Sequence, residues 1–154
     1  MDFEYFRTKR EKTKMLYSSK KPICNPYLER DVIFNSDGFH HLQFSARRER
    51  DKKEQLLKFS LLPLAFHIIK KSATLQEYRK ELITIGKQDK NGLCLTKTAD
   101  YWGFVAIVGE KWIKVKVILR RIGDGNIIFW SVMPYSKLKR EDGQKFYTEG
   151  IEDI

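Results

Sequence analysis

A change of hydrophobic period near residue 82 is the feature that most constrains the fold. Before it, apolar residues recur at helical spacing from Leu57 to Ile68, which predicts a main helix that starts near Glu54 and buries one stripe. After it, apolar and polar residues alternate, as they do in half-buried strands. Strands are predicted at residues 82–88, 101–108, 111–121 and 126–133. The chain therefore has a helical part followed by a stranded part.

Turn signals separate the predicted strands at short intervals. Asn91-Gly92 suits a type I′ hairpin, Gly109-Glu110 a two-residue type II′ loop, and Asp124-Gly125 a further turn. Connections this short join antiparallel neighbours, because parallel strands need a helical crossover. The predicted fold class is α+β, with N-terminal helices packed on one face of a four-stranded antiparallel sheet.

Shorter elements flank the main helix. Residues 30–38 predict a short strand that ends in an Asn-Ser-Asp-Gly turn. Thr74, followed by Glu77 at capping-box spacing, predicts a second short helix at residues 74–82. Pro63 is expected to kink the main helix or restart it.

A chain of 154 residues fits one hydrophobic core. We predict a basic N-terminal arm at residues 1–21, one α+β domain at 22–134 and a polar C-terminal tail at 135–154. The arm is interpreted either as a solvated segment or as a segment that folds onto RNA or a partner protein.

The charge indicates the class of partner. Thirty Lys and Arg against twenty Asp and Glu give a formal charge of +10, which attracts phosphate backbones. A polyanion, RNA above all, is therefore the expected partner. The N-terminus has no apolar core of signal-peptide length, and no apolar run approaches the roughly 20 residues of a membrane span. We expect a soluble, cytoplasmic protein with no membrane partner.

The two cysteines, Cys24 and Cys94, are far apart in the sequence and have no histidine cluster near them. This pattern indicates reduced thiols and neither a disulfide framework nor a zinc site. No metal and no cofactor are predicted.

The third predicted strand has a basic face. Alternation places Lys114, Lys116 and Arg120 on one side with Trp112 and Ile118, and four aliphatic residues (Ile113, Val115, Val117 and Leu119) on the other. The basic side is either an ordinary solvated face or a surface that tracks phosphates and stacks bases. The predicted nucleic-acid contacts are Lys114, Lys116, Trp112, Tyr101, Arg47 and Arg48.

Candidate catalytic residues lie elsewhere in the sequence. His40 and His41 lie in a predicted loop between the first strand and the main helix, where a side chain can reach a cleft. An imidazole there can exchange a proton at neutral pH, although one ring buried and bonded and the other exposed is a competing ordinary arrangement. Ser131 interrupts an apolar strand and either relieves crowding or binds a phosphate oxygen. RNA can be cut without a metal if a base activates its 2′-hydroxyl and cations stabilise the extra charge.

Two stretches resemble a known family. They are residues 31–42, which include Phe-His-His-Leu, and residues 114–126 together with Phe129-Trp-Ser-Val-Met-Pro134. Across residues 31–134 the chain resembles the metal-independent RNases grouped with barnase, EndoU, the tRNA-cutting colicins and RelE-type toxins, above all the phage-associated members. The resemblance implies that His40 or His41 carries the proton, that Arg120 or Arg121 contacts the scissile phosphate, and that Ser131 also contacts it. The glutamate base of barnase-like sites has no counterpart at a matching strand position.

Three functions follow as hypotheses. The first is a toxin-type endoribonuclease that leaves a cyclic phosphate and is restrained by an acidic inhibitor or antitoxin protein. The second is a non-catalytic nucleic-acid-binding module that uses the basic sheet face. The third is a protein-interaction or regulatory subunit whose charge keeps it soluble.

Overall fold

The computed structural model describes residues 2–108 and 112–135. The helices are α1 (Phe3–Ser18), α2 (Ser36–Gln43) and α3 (Lys52–Lys71). The strands are β1 (Ile23–Asn25), β2 (Arg30–Ile33), β3 (Glu77–Ile85), β4 (Leu95–Val108), β5 (Ile113–Ile122) and β6 (Ile127–Pro134). None of the helices in the described part of the chain is long and apolar enough to cross a membrane.

The strands form one mixed sheet in the order β1-β2-β6-β5-β4-β3. The α+β class is confirmed, but the prediction of four antiparallel strands is wrong. Strands β1 and β2 are three and four residues long, too short for an alternating pattern to mark both of them in the sequence. Moreover, β2 pairs parallel with β6, through Val32 with Ile127 and Ile33 with Ile128. This pair joins the N-terminal segment to the C-terminal strand.

The Asn-Ser-Asp-Gly segment begins helix α2, where the sequence predicted a turn. The Asn35 side chain accepts a hydrogen bond from the backbone N–H of Gly38 at 3.2 Å, which caps α2. His40 and His41 therefore lie on a helix and not in the predicted loop. Adjacent helical residues project about 100° apart, so the two imidazoles point in different directions.

The predicted helix at residues 74–82 is also wrong, because β3 occupies Glu77–Ile85. Antiparallel pairing with β4 from Glu77–Gly103 to Ile85–Leu95 overrides the local capping signal at Thr74.

Since β3 ends at Ile85 and β4 starts at Leu95, Asn91-Gly92 lies in a longer loop than the predicted two-residue hairpin. The Gly109-Glu110 loop and Lys111 lie outside the described residues. The turn at Asp124-Gly125 is present between β5 and β6.

The main core lies between the helices and one face of the sheet. Helix α3 runs through Pro63 as one helix and buries Leu62, Ala65 and Ile69 against the sheet. Burying one large apolar side chain in this way stabilises the folded state by about 2 kcal/mol.

The predicted basic arm differs from the structure, because most of it forms α1. Phe6 and Tyr17 are buried, and the Tyr17 hydroxyl donates to the carbonyl of Asn35 at 2.6 Å. The Phe6 ring lies 6.2 Å from that of Phe59 in α3. The segment thus belongs to the core and is not a solvated arm. The predicted tail lies outside the described residues apart from Tyr135.

Candidate functional site

The candidate site lies along the part of β6 that β2 does not pair with. Along β6, strand β2 pairs only with Ile127 and Ile128, and α2 packs against the residues that follow them. A Cβ atom at Gly38 would clash with the carbonyl oxygen of Phe129 and the hydroxyl of Tyr17. Glycine therefore lets α2 approach the strand backbone closely, which brings His41, one turn later, against β6.

A β-bulge lies at this position. Ser131 pairs with Ile118 but Phe129 pairs with Leu119, so Trp130 is the extra residue in β6. Bulges reorient side chains and occur often beside functional sites. The Trp130 ring is stacked on His41, with 4.3 Å between centroids, and the Arg120 guanidinium carbon lies 4.2 Å from the Trp130 centroid. Trp130 therefore contacts both His41 and Arg120.

Two further cations reach the same place from the helical side. The Lys58 ammonium, on α3, donates to the carbonyl of Val132 at 3.0 Å and to the hydroxyl of Ser131 at 3.4 Å. Arg50 donates from Nε to the carbonyl of His41 at 3.1 Å and is ion-paired with Glu54. We call this set the bulge cluster: His41, Arg50, Lys58, Arg120, Trp130 and Ser131.

Burial and the positive charges around it keep His41 neutral. Burial lowers its pKa from 6.5 to about 3, and the positive charges of Arg50, Lys58 and Arg120 add to this effect. His41 is 6% exposed, so solvent screens these charges weakly. A negatively charged group bound here would oppose all three cations and would raise the pKa of His41. The cluster is thus suited to an anion.

No family model, curated protein or solved structure matches this chain.

Of the residues predicted to be catalytic, His41, Arg120 and Ser131 come together and two do not. His40 is exposed and stacks on Phe44 with 4.5 Å between centroids. Arg121 is ion-paired with Asp100 at 3.2 Å and lies over Trp102, on the sheet face opposite to Arg120. It holds neighbouring strands together, away from the bulge cluster.

The predicted row of cations on β5 is not one continuous exposed surface. Lys116 is fully buried and ion-paired with Glu77 at 2.6 Å, which neutralises its charge. Lys114 is exposed, and its ammonium lies 5.5 Å from the centroid of Tyr135. Trp112 is 78% exposed beside the undescribed residues 109–111. The prediction that Lys116 contacts phosphate is therefore wrong.

The remaining predicted nucleic-acid contacts divide into buried and exposed side chains. Tyr101 is 5% exposed and lies beneath Arg120, whose guanidinium carbon is 5.5 Å from the ring centroid. Burial, above other causes, raises the pKa of Tyr101, so it remains a neutral phenol. It supports Arg120 and is not a surface for stacking bases. Arg47 and Arg48 are exposed in the loop between α2 and α3.

Sequence reasoning missed Lys58 and Arg50. A signal for Lys58 was available, because it lies on the buried stripe of α3 at helical spacing from Leu62 and Ala65. A lysine in such a stripe has a polar partner in the interior. Arg50 lies in a charged stretch, and nothing in the local sequence distinguishes it from Arg47 or Arg48. The described residues bring together no group of three His, Cys, Asp or Glu side chains that could hold a metal ion.

Proposed function

We propose that this protein is a metal-independent endoribonuclease that cuts RNA by attack of a 2′-hydroxyl on the adjacent phosphate. One observation carries the proposal: His41, Arg120 and Ser131, from three separate segments, meet around the Trp130 bulge. The family resemblance named these three side chains as candidates from sequence alone, together with His40 and Arg121 as alternatives. Their proximity in space supports the proposal.

The reaction needs a base, cations and a phosphate contact. The neutral imidazole of His41 is the base that would take the 2′-hydroxyl proton. The P–O2′ bond would form as the P–O5′ bond breaks, and the leaving 5′-oxygen would take a proton from water, which leaves a 2′,3′-cyclic phosphate. Arg120 and Lys58 would stabilise the additional negative charge on the phosphorus centre, as preorganised cations do in other sites. The Lys58 ammonium can only donate, so the Ser131 oxygen accepts its hydrogen bond. Because Ser131 is fully buried, its hydroxyl would donate to a phosphate oxygen only after the cluster opens to admit the substrate.

The low pKa of His41 fits a site that receives an anion. A base whose pKa is about 3 binds a proton poorly at neutral pH. The charge of a scissile phosphate would offset Arg50, Lys58 and Arg120, and would raise the pKa of His41 as substrate binds. Substrate binding would in this way activate the base.

A second candidate function is RNA binding without cleavage. It is favoured by the burial of Ser131, at 0% exposure, and of His41, at 6%. Arg120 and Trp130 are only partly buried. Together they offer a cation and an aromatic ring, which are the groups that bind single-stranded RNA.

Partners follow from the same chemistry. RNA is the proposed substrate or ligand. A cell that makes such a ribonuclease needs to restrain it, and an acidic inhibitor or antitoxin protein complements a chain of charge +10. The toxin assignment depends on this proposal and on the family resemblance.

A cleavage assay tests the proposal. Purified protein is incubated in EDTA with end-labelled single-stranded RNA, and His41→Ala and Arg120→Ala are compared with His40→Ala as the matched control. We expect His41→Ala to lose at least about 100-fold in rate, the typical contribution of a general base. The His40→Ala variant should cut like the wild type, because His40 stacks on Phe44 outside the bulge cluster.

Filter binding with the same RNA separates the two candidate functions. Salt-dependent binding without cleavage by any of these proteins would support the binding module and reject the ribonuclease. Equal loss of cleavage in His40→Ala and His41→Ala would reject the assignment of the base.

A further inference from the structure

A groove lies at the end of the helical layer distant from the bulge cluster. It has a volume of ≈ 630 Å³ and lies between the end of α1, strand β1 and the second half of α3. Its apolar wall includes Leu16, Ile23 and Phe66. Lys58 and Lys70, at the two sites, are twelve residues apart on α3, or about 18 Å along the helix axis.

The segments that build this groove contain no carboxylate side chain. Neither residues 12–28 nor residues 59–76 include Asp or Glu, although the chain has twenty of them. The same segments carry six lysines: Lys12, Lys14, Lys20, Lys21, Lys70 and Lys71. They therefore supply +6 of the formal charge of +10. Among the described residues, the lining of the groove includes Lys20, His67 and Lys70 and no acidic group.

The apolar wall distinguishes between possible anionic ligands. Sites for single-stranded RNA combine cations with exposed aromatic faces on which bases stack. Phe66 is only 7% exposed, and the Lys20 ammonium lies 4.6 Å from its centroid. Leu16 and Ile23 are aliphatic, and Leu16 is 43% exposed. Such a wall suits leucine-like side chains better than nucleobases.

We propose that this acid-free groove docks an acidic amphipathic segment of a partner protein. Apolar side chains of the segment would cover Leu16 and Ile23, and its carboxylates would lie beside Lys20 and Lys70. The charge of the groove and the aliphatic character of its wall together select this occupant. The proposal does not depend on the ribonuclease activity, because the groove shares no residue with the bulge cluster.

The test uses a labelled helical peptide of about three to four turns with leucine at positions i, i+3, i+4 and i+7 and glutamate elsewhere. A scrambled peptide of the same composition is the control ligand. Fluorescence anisotropy should show salt-sensitive binding of the amphipathic peptide to the full chain, at least about tenfold tighter than that of the scrambled peptide. Equal binding of both peptides, or none, would overturn the proposal.

Variants locate the binding. The double variant Lys20→Glu, Lys70→Glu should weaken binding of the amphipathic peptide by at least about tenfold, since two cations become anions. The matched control Lys87→Glu, Lys90→Glu makes the same charge change in the exposed loop between β3 and β4 and should bind within about twofold of wild type.

Equal losses in both double variants would mean a non-specific charge effect and would reject the groove. A short single-stranded RNA, measured in parallel, provides the other decisive outcome. Loss of RNA binding in Lys20→Glu, Lys70→Glu with peptide binding intact would make the groove an RNA site and overturn the proposal. RNA cleavage by that variant should match wild type, so that failure of this proposal and failure of the ribonuclease proposal remain distinguishable.

Discussion

Replacing His41 by phenylalanine should remove a defined part of the pH dependence of stability. The wild-type imidazole has a pKa of about 3 in the folded protein, whereas an unfolded chain has 6.5. Between these values the unfolded state binds a proton that the folded state does not. Stability is therefore fully retained above pH 6.5 and falls as the pH decreases towards 3. Phenylalanine keeps a ring against Trp130 and removes the titration.

The magnitude follows from the pKa difference. Each unit of pH below 6.5 costs about 1.4 kcal/mol, so the free energy of unfolding should fall by about 2 kcal/mol from pH 8 to pH 5 through His41 alone. Other groups, the carboxylates included, titrate in both proteins and cancel in the comparison. The His41→Phe variant should lose about 2 kcal/mol less than wild type over this range.

Urea unfolding, monitored by tryptophan fluorescence at pH 8, 7, 6 and 5, measures the effect. The unfolding midpoints are converted to free energies of unfolding with a common m value. His40→Phe is the matched control and should follow the wild-type profile, because His40 is exposed. Parallel profiles for wild type and His41→Phe would refute the reasoning, since they would mean that His41 titrates alike in the folded and unfolded states.

Two further predictions concern stability and are checked by urea unfolding. Gly38→Ala should destabilise by about 1–3 kcal/mol, because its Cβ would overlap the carbonyl oxygen of Phe129, while Ser36→Ala at an exposed position of the same helix should change stability by less than about 0.5 kcal/mol. Glu77→Ala should cost about 3 kcal/mol, because it leaves the buried Lys116 ammonium without its carboxylate, whereas Lys116→Met leaves only a partly exposed glutamate and should cost less. A larger loss for Lys116→Met than for Glu77→Ala, or equal losses for Gly38→Ala and Ser36→Ala, would contradict these accounts.

The sequence predicted those helices and strands that are long enough to show a clear hydrophobic period. The long stripe of α3 and the alternation of β4, β5 and β6 gave the α+β class. The capping-box signal at Thr74 was misleading because nine pairs with β4 stabilise β3 more than one cap stabilises a short helix. The parallel pairing of β2 with β6 joins residues almost a hundred positions apart, and no local pattern contains that information.

The candidate site was predictable to a similar degree. His41, Arg120 and Ser131 were among five candidates from the sequence, which could not choose between His40 and His41 or between Arg120 and Arg121. Their grouping depends on the register shift at Trp130, which alternation cannot reveal. Lys116 was assigned to phosphate because the sequence does not show that Glu77 lies within reach of it.

End-group analysis of the RNA products tests the central claim most directly. Two oligonucleotides of one sequence, one with ordinary ribose and one with every 2′-hydroxyl methylated, are incubated with the purified protein in EDTA. We predict that only the first is cut and that its new 3′ ends carry a 2′,3′-cyclic phosphate. Cleavage of the methylated strand, or no cleavage of either, would contradict the account.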